Sequence, residues 1–141
     1  MNNVSKDRDL DSILVGDSDE FTHHITENDV SRFSLVSGDY NPLHMDESYA
    51  GGTSFGKRVV HGMFLGALVS QFVGMYLPGT KALLIKEMIE FKKPVYIGET
   101  VKVKGVITGK STVTRIVEID LKIFSNDSVV ASGYVYAKVL D

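Results

Sequence analysis

The sequence contains no cysteine, so disulfides, thiolate metal sites and a thiol nucleophile are all excluded. An excess of positive charge is missing too. Lys and Arg number 15 against 18 Asp and Glu, giving a net charge of −3 and a pI near 5.8, which argues against nucleic acid as the main partner. The N-terminus lacks the charged-then-apolar pattern of a secretory leader, so a cytoplasmic location is expected. Prolines are scarce, three in all, and each marks a break. Charge vanishes from Val59 to Thr80, a run long enough for a membrane span. His61, Ser70-Gln71, glycines at 62, 66 and 74 and the Pro78-Gly79 stop argue against a membrane. The alternative is a buried helix from His61 to Leu77, apolar nearly all round. What remains is ordinary: 141 residues, 43% hydrophobic and 23% charged, enough for one domain with a real core.

The first twenty residues carry six of the eighteen acidic residues and few large apolar ones. Residues 1–12 therefore read as a flexible or loosely docked tail, with a single domain over 13–141. Phe21–Ile25 suits a short strand. Thr26 is placed to cap a helix with Asp29 at its third position; Val30, Phe33 and Val36 would form the apolar face, and Gly38 the end. Gly51-Gly52 through Gly56 reads as a loop, after a short helix near Glu47. In the C-terminal half, Ala82–Phe91, Val101–Thr108, Val113–Phe124 and Val129–Val139 are separated by turn signals at Pro94, Gly98, Gly109-Lys110 and Asn126-Asp127. Val117, Ile119, Leu121 and Ile123 alternate with Glu118, Asp120 and Lys122. Period two with one wet face means an antiparallel sheet packed on one side. The fold class is α+β: a curved antiparallel sheet wrapped around one long central helix.

The segment Ser37 to Ala50, S-G-D-Y-N-P-L-H-M-D-E-S-Y-A, places a carboxylate, Asp39, and an imidazole, His44, on either side of an Asn-Pro step. Residues five apart on a helix differ by about 140°, so the two cannot share a helical face. They converge only if the chain turns at Asn41-Pro42, which those residues favour. Two readings fit: an acid/base pair, or an Asx-type turn with Asp39 capping and His44 on the surface.

Gly38-Asp39-x-Asn41-Pro42-x-His44-x-Asp46 with Arg58-Val59-Val60-His61-Gly62-Met63 resembles the MaoC-like dehydratases, the (R)-specific enoyl-CoA hydratases of the hot-dog fold. The resemblance covers about Phe21 to Val139. It implies a homodimer or a dimer of dimers, and acyl thioesters of coenzyme A or acyl carrier protein as substrates. It implies Asp39 and His44 as the catalytic pair, and Asn41 as a residue that helps hold the water. Gly62 matches the glycine whose N–H faces the thioester oxygen, and Ser70 lies near a position lining the acyl pocket. No metal and no other cofactor is implied. At a helix start, free N–H groups and the positive dipole end favour such an oxyanion.

Other candidates have plainer readings. His23-His24 and His44-x-Asp46 lack convincing metal spacing and suit surface or local hydrogen bonds. His61 reads as a satisfied histidine at the helix entry. Ser37 and Ser70 lack a nucleophile elbow. Lys57-Arg58 would meet the phosphates of coenzyme A or else stand solvated. Two further functions stay open: a hot-dog acyl thioesterase, and a non-catalytic acyl-thioester-binding subunit.

Overall fold

The computed structural model describes residues 3–141. A single turn at Leu10–Ser12 precedes β1 (Ser18–His24), α1 (Glu27–Ser37), α2 (Pro42–Met45), α3 (Glu47–Gly51) and α4 (Gly62–Met75). Then follow β2 (Ala82–Phe91), β3 (Thr100–Lys110), β4 (Ile116–Ser125) and β5 (Ser128–Val139). The strands form one sheet in the order β1-β3-β4-β5-β2, antiparallel throughout. Helix α4 lies against one face of it. The α+β expectation holds, with a hot-dog architecture.

Alternation explains the packing. Val117, Ile119, Leu121 and Ile123 of β4 are buried with Val101, Val103 and Ile107 of β3 and Val135 and Ala137 of β5. Gly105 stands in phase with the buried β3 residues because Phe72 of α4 lies against it. A Cβ there would meet the Phe72 ring at 2.5 Å. The β4–β5 hairpin turns at Asn126-Asp127, both at positive φ (49° and 62°), as tight hairpins demand. The β3–β4 turn differs from expectation. Gly109 and Lys110 stay paired in β3 beyond a register shift, and the chain reverses over 111–115 with Val113 exposed.

In α1 the capping box of Thr26 and Asp29 forms, and Gly38 ends the helix at φ 76°. Val30 and Ser34 are buried, but Val36 is exposed. It lies six positions from Val30, about 240° around the helix, and so falls off the core face.

Residues 1–12 need a correction. Met1 and Asn2 lie outside the described residues; beyond them the segment is docked. Lys6 N–H donates to the Met75 carbonyl at 2.9 Å, and Thr80 N–H donates back to the Lys6 carbonyl at 2.9 Å. Leu10 is buried in the core. Carbonyls at a helix C-terminus lack intrahelical partners, and this segment satisfies one of them. Helix α4 is also less enclosed than its composition suggests. Phe64, Leu65, Leu68, Val69, Phe72 and Val73 are buried, while Met63, Ala67, Ser70 and Gln71 form an exposed stripe. Among the described residues no helix is long and apolar enough to cross a membrane.

Candidate active site

The site lies where the α1–α2 connection meets the start of α4. Gly38 turns the chain out of α1, and Asp39 follows. Asp39 Oδ1 accepts from Asn41 N–H at 3.1 Å, and Asn41 Oδ1 accepts from Leu43 N–H at 2.9 Å. Asn41 thereby caps α2, whose first residue is Pro42, a position where the missing N–H is harmless. The Asx turn at Asp39 is therefore real, and it coexists with convergence. This cascade of short polar bonds swings His44 back toward the helix start. Donor atoms of Asp39, His44 and His61 all lie within 4.8 Å of one another.

The hydrogen bonds of the imidazoles fix their tautomers. His44 Nδ1–H donates to the Val59 carbonyl at 2.7 Å, leaving Nε2 as the free acceptor. His61 Nε2–H donates to the Asp39 main-chain carbonyl at 2.9 Å. Its ring is buried, stacks on His44 with centroids 4.1 Å apart, and leaves Nδ1 without a partner among the described residues. Burial, with a smaller contribution from the neighbouring His44, holds the His61 pKa below the usual histidine value. The satisfied histidine expected at the helix entry is thus satisfied at one nitrogen only. One ligand atom from each of Asp39, His44 and His61 falls within that 4.8 Å span, a set that a cation could share.

Gly62 is the first residue of α4, so its N–H has no helical acceptor. His44 and Gly62 line one cavity of about 320 Å³, walled by Phe55, Val60, Leu65, Phe91 and Val95, with Lys92 and Lys93 at its edge. The Phe91 ring covers Gly62 closely; a Cβ at 62 would meet it at 3.1 Å.

Arg58 overturns one expectation. It is buried, its Nε–H donates to the His44 carbonyl at 2.6 Å, and its Nη1 meets Glu27 at 2.8 and 3.0 Å. It braces the His44 segment and is not available to a phosphate. Lys57 sits over the Tyr96 ring at 4.4 Å. Ser70, two turns along α4, lies on the exposed stripe and outside the lining of the His44–Gly62 cavity. His23 pairs with Asp29 at 2.9 Å, His24 with Thr100 at 3.1 Å, and Asp46 caps α3, all local roles. Sequence reading did not single out Phe91, Lys92 or Lys93, because only the fold brings the end of β2 to the start of α4.

Comparison with known proteins gives a consistent picture. The chain matches the MaoC like domain over residues 15–126. It is 33% identical over 130 residues to a 3-hydroxybutyryl-CoA dehydratase of Methylorubrum extorquens, covering 92% of this chain and 83% of that protein. It is 31% identical to an (R)-specific enoyl-CoA hydratase of Aeromonas caviae, covering 85% and 90% of the two chains. The solved R-hydratase of Pseudomonas aeruginosa superposes with a TM-score of 0.89 at 32% identity, covering 94% of this chain and 85% of that one. The family match spans most of the chain, the relatives are covered nearly from end to end, and the sheet-and-helix arrangement is shared: this chain belongs to the MaoC-like family of hot-dog hydratases and dehydratases.

Proposed function

We propose that the protein adds water to trans-2-enoyl thioesters to give (R)-3-hydroxyacyl thioesters, and runs the reverse dehydration, with Asp39 and His44 as its acid/base pair. The observation that carries this reading is the convergence of the Asp39 and His44 donor atoms, with His44 and the first-turn N–H of Gly62 on one apolar cavity and the exposed Asp39 outside its lining. A water held between the Asp39 carboxylate and His44 Nε2 loses a proton to the pair as its oxygen bonds to C3. The C2–C3 double bond shifts its electrons to the thioester oxygen, which the Gly62 N–H and the positive end of α4 stabilise. The pair then returns a proton to C2 from the same face, so addition is syn and gives one enantiomer. Asn41 Oδ1 is occupied in capping, which leaves its amide NH₂ to hold the water.

The acyl carrier is coenzyme A or acyl carrier protein, both anionic; Lys92 and Lys93 at the cavity edge support that class, in the place first assigned to Lys57-Arg58. We further place a second copy of this chain against the exposed stripe of α4 and the β2 edge, giving a homodimer or a dimer of dimers in the cytoplasm. In that assembly Ser70 would line an acyl pocket from the stripe rather than from within its own cavity.

Crotonyl-coenzyme A tests the reading. Loss of the enoyl thioester absorbance with no free thiol supports it. Release of thiol would mean hydrolysis, and neither change would leave a binding subunit; both results overturn it.

A further inference from the structure

His61 touches each part of the site without lining its cavity. Its Nε2–H holds the Asp39 carbonyl at 2.9 Å. Its ring stacks on His44 at 4.1 Å and 30° between planes, and the edge of Phe33 closes the other side at 4.9 Å. Its own peptide leads into Gly62, yet its side chain forms no cap for α4. A buried imidazole with an unpartnered nitrogen is costly, and a leucine or phenylalanine would fill the same volume without that cost. What the imidazole adds is one N–H directed at the main chain of Asp39 and one flat face against His44.

We propose that His61 is a positioning residue, which fixes the Asp39 main chain and the His44 ring at one mutual geometry and acts on the reaction only through them. This rests on the acid/base reading of Asp39 and His44. Misplacing reacting groups by about 1 Å is worth up to roughly 10²-fold in rate, and the effect falls on turnover, because His61 meets no part of the cavity. The ring does this work as the neutral species: burial disfavours a proton on Nδ1, and the neighbouring His44 and Arg58 act in the same direction.

Three variants test it, by steady-state kinetics with crotonyl-coenzyme A. His61→Phe keeps the stacked ring and loses the N–H; His61→Gln keeps an N–H donor at the Nε2 position and loses the stacked ring. We expect kcat to fall about 10–100-fold in His61→Phe with KM within about 3-fold, and His61→Gln to recover part of that loss. On an Asp39→Asn background the same His61→Phe change should cost less than about 3-fold, since the lost N–H acts through Asp39 and residues acting as a unit are not additive. Unchanged kcat in a folded His61→Phe, a loss confined to KM, or an equal loss on the Asp39→Asn background each overturns the proposal. Should His61→Phe fail to fold, His61→Leu, which also lacks the N–H, carries the same cycle. A fully active Asp39→Asn would instead refute the acid/base reading itself, so the two failures are distinguishable.

Discussion

At the N-terminal end of α4 the polar side chains are tied to main chain within one protomer: His44 to Val59, His61 to Asp39, Arg58 to His44 and across to Glu27. Along the flank of the same helix toward β2 the arrangement is different. Met63 and Ala67 of α4 are bare, as are Leu83, Ile85 and Met88 on the β2 edge, and Glu87 buries an oxygen with no partner among the described residues. The opposite sheet edge, β1, runs Ser-Asp-Glu-Phe-Thr-His-His, the polar make-up that discourages pairing. One region is therefore finished within a single chain, and the other leaves bare the apolar flank against which a second copy is proposed to sit. The reacting groups and the assembly surface can be damaged separately, and that separation is open to experiment.

The largest effect should come from the finished region. Asp39→Asn and His44→Ala are each expected to lower kcat by about 10²–10⁴ while leaving the assembly and the melting temperature close to those of the parent. Full activity in either variant would remove that residue from the mechanism, and a monomeric product would show that the two regions are not separate. Gly62 sharpens the same point at a slightly smaller scale. Both Gly62→Ala and Gly62→Pro push a carbon toward Phe91, but only proline deletes the N–H, and it is tolerated at a first helical position. A loss of about 10²–10³ in the proline variant, with a much milder one in the alanine variant, assigns the effect to the donor. Equal losses would assign it to crowding.

The unfinished region should respond in mass rather than in chemistry. Leu83→Lys combined with Ile85→Lys sets two charges on the bare β2 edge. Light scattering at micromolar concentration should then report a monomer where the parent is a dimer or larger. A monomeric parent would end the assignment of this flank to a second copy.

Much of this was legible beforehand, and the exceptions share a cause. Period-two alternation identified β4 because one face of the sheet is wet. Asn41-Pro42 predicted the reversal that brings Asp39 to His44, since both residues act on their immediate neighbours. Arg58 was misread as surface because its partner, Glu27, is 31 positions away and no local pattern reveals it. The docked segment around Leu10 was missed for the same reason: its acceptor and donor, Met75 and Thr80, are supplied by the far end of α4. The exposed stripe of α4 escaped notice because it is built from Met63, Ala67, Ser70 and Gln71, and without charge an exposed face resembles a buried one.

The smallest expected effect concerns Glu87, and its sign follows from burial. The carboxyl lies beside Gly66 and Met63 of α4, and desolvation pushes its pKa above the ordinary glutamate value. The folded protein thus holds this proton more tightly than the unfolded chain does. Below the unfolded pKa, near 4.5, both states are protonated and the group is neutral to stability. As pH rises through that value toward the raised one, the unfolded state ionises first, so stability is lost. Glu87→Gln keeps the shape and removes the ionisation. It should raise the melting temperature by about 1–3 °C at pH 8, with the gain shrinking toward zero at pH 4. A lower melting temperature at pH 8 would mean that the carboxylate has found a cation in the assembled protein. The flank would then contain a charged pair between copies as well as an apolar surface.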